Sequence, residues 1–332
     1  MATAGDNIVT TKLESGSAAA RVTLSERFWR IWRRGGILIL LLLFMLALTL
    51  LTNRFLTPQN LLNVARQVSV LAIIACGLLV VIITGNVDLT VGAFMGFAGA
   101  IIAGISIQLG ILPALAIALA VALAVGLTNG FLSTRGVGLS VIVTLAVMSI
   151  FQGATLLYTE GRPITGFPAG ILEIGKGFVG PIPFPVAIAA VTAITIHLML
   201  QHTVFGRQLY AIGGNAEAAR LSGIPVNARI MSAFMISATL SALAGLVLTA
   251  RVASAQPTAG VGDELNAVGA VLIGGASLNG GAGSVVGTIA GVLVLGMISN
   301  GLNLLQVNPF YQYIIKGMII LLAILMDQWG RK

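Results

Sequence analysis

Asp88 is the one acidic residue near the middle of the apolar sequence of the first half, within Gly85–Gly92, GNVDLTVG. A charge is costly inside a bilayer, which points to a gating or coupling group. It also follows a glycine and precedes a new apolar run, where a carboxylate caps the free N–H groups of a helix start. The other chemistry-bearing residues are sparse. His197 and His202 have no cysteine or paired acid at metal-ligand spacing, and no nucleophile and base accompany them. Gly170–Lys176, GILEIGK, opens like a phosphate-binding loop, but Gly177 stands where serine or threonine would hold magnesium. Neither a metal-dependent enzyme nor an ATPase is expected from such a set. The remaining candidate is Gly206–Pro225, GRQLYAIGGNAEAARLSGIP, a polar island rich in small residues. Ala211, Ala216, Ala218, Ala219 and Leu221 suit a groove, and Arg207, Glu217 and Arg220 would orient the segment by charge.

The elements that position these residues belong in a membrane. Of 332 residues, 57% are apolar and 8% charged, far from soluble globular usage. Ten apolar runs are readable: Ile37–Thr52, Val68–Thr84, Thr90–Gln108, Ile111–Phe131, Leu139–Tyr158, Phe184–Leu200, Ile230–Ala250, Leu265–Asn279, Ser284–Leu305 and Phe310–Met326. The expected fold is therefore an all-α polytopic membrane protein of about ten transmembrane helices, some short or broken. Leu265–Asn279 is too short to span and is expected to be a half-helix or a tilted, protein-buried segment. A basic cytoplasmic tail, residues 1–35, precedes one transmembrane domain, residues 36–332. No Ala-x-Ala-like site follows the first run, which reads as an uncleaved anchor. The +8 net charge sits at span edges, so it reports topology rather than nucleic-acid binding. With the N-terminus inside, twelve basic residues fall on the cytoplasmic side and five on the other, Lys316 lying within the last run. Both termini are then cytoplasmic, and Gly206–Val226 becomes a cytoplasmic segment between the sixth and seventh spans.

Four G-x-x-x-G spacings, Gly92–Gly96, Gly126–Gly130, Gly283–Gly287 and Gly287–Gly291, predict close helix packing within the subunit. Ile82–Gly96 and Leu272–Gly287 resemble one another as glycine- and asparagine-rich turns between apolar runs, an arrangement known from broken-helix transporters. Two outer segments could dock a partner: the loop Thr159–Pro183, with Glu160, Arg162 and Lys176, and Arg251–Glu264, with Asp263 and Glu264. Cys76, the single cysteine, is read as a packing residue.

GRQLYAIGGNAEAARLSGIPV at Gly206–Val226, TGNVDLTVGAFMG at Thr84–Gly96, LNAVGAVLIGGASLNGGAGSVVGTIAG at Leu265–Gly291 and LTPQNLLNVARQVSVLAI at Leu56–Ile73 together resemble a permease subunit of the ribose, xylose and galactose branch of bacterial ATP-binding-cassette importers. Asn86 departs from a glycine, and Thr90 from a serine, of the family's GG-x-DLS element. The resemblance implies a second permease subunit, a cytosolic ATPase that alone binds ATP and magnesium, and a periplasmic sugar-binding protein, all at the inner membrane among lipid. It assigns ATPase coupling to Arg207, Gly213, Gly214, Asn215, Glu217, Ala218, Ala219, Arg220 and Gly223. The translocation path is expected at Asn86, Asp88, Asn129, Asn300 and Asn303. Binding-protein docking is expected at Glu160, Arg162, Lys176, Asp263 and Glu264. No cofactor is expected in this chain. A proton-coupled secondary transporter and a branched-chain amino-acid permease are the alternatives, the first short of an acid or histidine relay.

Overall fold

The computed structural model describes residues 42, 45–136 and 139–329, and beyond 319 the side chain of Leu321 alone. The basic tail, residues 1–35, and the start of the first apolar run lie outside them. A helical stretch at 45–51 leads into α1 (Pro58–Ile83), followed by α2 (Val91–Leu109), α3 (Ile111–Ser133), α4 (Leu139–Thr159) and α5 (Ala169–Lys176). A hairpin of β1 (Phe178–Val179) and β2 (Ile182–Pro183) is the small departure from an all-helical chain among the described residues. Then come α6 (Phe184–His202), α7 (Val204–Gly214), α8 (Ala216–Leu221), α9 (Val226–Val252), α10 (Asp263–Ile273), α11 (Val285–Leu304) and α12 (Pro309–Trp329). Seven of these, α1, α2, α3, α4, α6, α9 and α11, are long and apolar enough to cross a bilayer.

The central element is α1. Every residue from Ile73 to Ile83 is buried, as expected of a helix that is apolar all round. Its apolar window is 83% buried, whereas that of α4 is 17% buried and presents its side chains outward. The glycine pairs explain how α9 packs against its neighbours. A Cβ at Gly126 or Gly130 of α3 would overlap Met235 and Met231 of α9, and one at Gly245 of α9 would overlap Met95 of α2. Gly287 and Gly291 likewise bring α11 onto Gly274 and Ala270 at α10. With no hydrophobic drive between helices in lipid, such backbone approach supplies the packing energy. The subunit-internal reading of these spacings is correct.

Two segments double back into the bundle. After α1 ends, residues 84–90 return until Asp88 lies beside Ser237, near the midpoint of α9, and α2 starts there. After α9 ends at Val252, the chain passes Ala255, which bridges to Ile164 of the long loop, and descends until Gly260 abuts Gly92. There α10 starts. Its 11 residues rise about 16 Å, half a bilayer core, in agreement with the expected half-helix. The N-terminal ends of α2 and α10 thus adjoin in the interior, running away from one another. Facing helix starts carry partial positive charge, which accounts for Asp88, Asp263 and Glu264 at this place.

Basic residues separate by end. Arg135, Arg207, Arg220 and Arg229 lie at the α7–α8 end of the bundle, whereas Arg54, Arg66, Arg162, Lys176 and Arg251 lie at the far end. This is the grouping expected from the apolar runs.

Candidate functional site

Gly206–Pro225 folds as α7 and α8, joined at Asn215. Thr203 caps α7, its Oγ1 accepting from Gly206 N at 3.1 Å, and Asn215 caps α8, its Oδ1 accepting from Ala218 N at 2.9 Å. The end of α8 is closed by Gly223 at φ 81°, a left-handed position that a side chain would strain, with Ile224 N donating to Ala219 O at 3.1 Å. Glu217 and Arg220 are exposed and paired at 3.1 Å, and Leu221 is 82% exposed. Arg207, Gly214, Asn215 and Ala218 are exposed as well. Ala219 is the exception: it is buried against the bundle, so it seats α8 rather than meeting another protein.

Gly213 is the attachment of α7. A Cβ there would overlap the Ile83 carbonyl oxygen at the end of α1 and Gly281 N in the turn after α10. Gly281 N in turn donates to Ile83 O at 2.9 Å, and Gly280 packs on both Gly85 and Gly213. Tyr210, one turn before Gly213, donates its hydroxyl to Gly283 O at 2.8 Å, and burial pushes its phenol above the ordinary tyrosine range. The site therefore joins α7 to the turns that follow α1 and α10. The two glycine-rich segments that look alike in sequence meet here. Tyr210, Gly85, Gly280 and Gly281 complete this joint and were not among the residues singled out from the sequence. A face of Tyr210 and Gly213 at i, i+3 was the available signal.

The expected path residues divide. Asp88 accepts from Thr90 N at 3.1 Å, from the Thr90 hydroxyl and from Ser237 Oγ at 2.8 Å. Asn129 Nδ2 donates to Thr90 Oγ1 at 3.1 Å, so Asp88 and Asn129 belong to one buried network holding α2, α3 and α9. Asn86 donates to Thr84 Oγ1 at 3.0 Å within its own turn. Asn300 and Asn303 are elsewhere, at the far end of α11. Asn300 exchanges hydrogen bonds of 2.9 and 3.0 Å with Asn60, and Asn303 accepts from Gln312 Nε2 at 2.9 Å. The five do not form one lining.

The expected docking residues divide too. Glu160, Arg162 and Lys176 are exposed at the far end, where Ile164 and Ala255 join the two outer segments through reciprocal backbone bonds of 3.0 and 2.9 Å. Glu264 is buried: its Oε1 accepts from Gly262 N at 3.1 Å and its Oε2 packs on Gly92. Asp263, half-buried, faces a cavity beside it that reaches the exposed Gln67. Neither is placed to touch a separate protein, because the segment before α10 turns into the bundle.

A family model described as branched-chain amino acid transport system / permease component matches residues 60–324. The chain belongs to that permease family. Within it, the chain is 46% identical over 292 residues to the ribose import permease protein of Bacillus subtilis, covering 87% of this chain and 90% of that protein. It is 43% identical over 295 residues to the ribose import permease protein of Escherichia coli, covering 87% and 92% of the two. The L-arabinose transport system permease protein of Escherichia coli is 36% identical over 321 residues, covering 96% and 97%. No solved structure matches the permease. The matched range includes α1 to α11 and most of α12, and hence the whole α7–α8 joint and the two doubled-back segments.

Proposed function

We propose that this permease is the membrane-spanning subunit of an ATP-binding-cassette importer that moves a sugar, of pentose size, across the bacterial inner membrane. The observation that carries the reading is its full-length similarity to permeases named for ribose and L-arabinose, both pentoses. The family description names branched-chain amino acids, whereas these permeases, matched over 87–96% of this chain, are named for sugars. In this reading the chain crosses about ten times with both termini in the cytoplasm, an orientation supported by Arg135, Arg207, Arg220 and Arg229 at the α7–α8 end.

The α7–α8 unit is the coupling element. Glu217, Arg220, Ala218 and Leu221 present charge and apolar surface to a cytosolic ATPase, which holds the ATP and magnesium, while Ala219, Gly213 and Tyr210 hold the unit to the bundle. A push on α8 reaches the turns after α1 and α10, and through them residues 84–90 and the half-helix. Each state of the ATPase then favours one opening of the route, which is what uphill transport requires. Glu160, Arg162 and Lys176 offer a periplasmic binding protein a charged rim at the far end. The outward side chains of α4 suit lipid or a second permease subunit.

The test is uptake by proteoliposomes holding the permease with its ATPase and binding protein. ATP-dependent ribose uptake that needs all components, and that Glu217→Ala and Gly223→Leu reduce at least about tenfold, is the expected result. Uptake by this chain alone, driven by a proton gradient and indifferent to both substitutions, would assign it to secondary transport. Uptake of leucine in place of pentoses would return it to the amino-acid branch.

A further inference from the structure

Gln67, Arg251, Asp263, Asn266, Ser299 and Lys316, contributed by α1, α9, α10, α11 and α12, line a cavity of about 130 Å³. We infer that this cavity is a hydroxyl-binding subsite where the permease holds its sugar on the route inward, an assignment that rests on the pentose-importer reading. Three charged side chains within a membrane bundle are expensive. Asp263 attracts Arg251 and Lys316 across the cavity without closing on either: among the described residues, Arg220–Glu217 is the one ion pair within 4.0 Å. Arg251 gives one donor to the Arg66 carbonyl, at 3.2 Å, and Asp263 accepts one bond from Asn266, at 3.1 Å. Their remaining donors and acceptors, with the Lys316 ammonium and the Gln67 amide, are available to the cavity.

The mixture selects the ligand class. A carboxylate and two amides offer acceptors, while guanidinium, ammonium and amide N–H groups offer donors. A ring of vicinal hydroxyls, each both donor and acceptor, uses all of them. An apolar solute would leave every one of these groups unpaired. At about 130 Å³ the cavity has room for a small solute and not for an oligosaccharide. No aromatic ring lines it, so the stacking that would make binding tight is missing and release is easy. The position fits transit. Arg251 is at the far end of α9, and Asp263 opens α10 where the two helix starts adjoin.

The experiment uses the complete complex in proteoliposomes, reading labelled ribose delivered per ATP hydrolysed. Wild type that moves neither ribose nor arabinose sinks the pentose reading itself. In a transporting complex, Asp263→Asn and Lys316→Met are expected to lower the sugar delivered per ATP about tenfold, with Asp263→Glu recovering part of it. A ratio unchanged in both variants overturns the subsite while leaving the importer intact. A second arm uses Asn266→Cys with Cys76→Ser in an otherwise native complex. The new thiol is expected to react with a membrane-impermeant methanethiosulfonate, more slowly when free ribose is present and unchanged by leucine. Absence of reaction, or indifference to ribose, overturns the inference.

Discussion

Residues 84–90 and the α7–α8 segment are both polar interruptions between apolar helices, yet they dispose of their polar groups in opposite ways. Around Asp88 the polar groups largely close on one another: Thr90 and Ser237 serve the carboxylate, and Asn129 serves Thr90. On α8 the Glu217 carboxylate and the Arg220 guanidinium have only each other, at the surface, and Leu221 stands open beside them. A polar group satisfied within its own chain is a structural commitment. One left facing out is an offer to something else, and this contrast separates the scaffold of the permease from the surface proposed to meet the ATPase.

The contrast can be broken most forcefully at Asp88. Asp88→Ala leaves the Ser237 and Thr90 donors without their acceptor in a dry interior and is expected to cost about 3 kcal/mol, read as a lowered thermal midpoint of the detergent-solubilised permease. An unchanged midpoint would show that the network is solvated. Gly213→Val comes next, at about 2 kcal/mol, because its side chain overlaps Ile83 O and Gly281 N. Uptake should fall with it, and wild-type uptake in that variant would remove Gly213 from the joint. Glu217→Ala sharpens the contrast instead. Stability should move by less than about 0.5 kcal/mol, as for exposed ion pairs, while ATP-driven uptake collapses. A matching loss of stability would make Glu217 part of the scaffold. The smallest effect belongs to Gly214→Ala, where nothing stands within 4 Å of the new methyl. A helical glycine replaced by alanine should gain a few tenths of a kcal/mol, about 0.5 at most, and a measured loss would reveal an unseen neighbour.

Much of this architecture was legible in the sequence because it is written in short spacings. The glycine pairs four apart, the brevity of α10 and the small-residue island at Gly206–Pro225 are local patterns. What stayed hidden depends on chain segments that meet across long separations. Asn300 reads as a residue of the translocation path until Asn60, far away in sequence, supplies both of its hydrogen bonds. Asp263 and Glu264 read as an outer loop because hydropathy registers polarity and not direction. Only the descent from Ala255 to Gly260 reveals that they turn inward. Lys316 reads only as a charge within the last apolar run, and its place opposite Asp263 follows from how α12 lies on α10. The same holds for Tyr210, whose partner is a carbonyl 73 residues on.

The joint at Gly213 is made of backbone against backbone, with Ile83, Gly85, Gly280 and Gly281 on the other side. Side-chain contacts are springs, since rotamers adjust and take up part of any movement. A joint without side chains has no such compliance. A displacement of α7 by a fraction of an ångström would pass into the turns it touches, so a single methyl group added at Gly213 is enough to shift both of them.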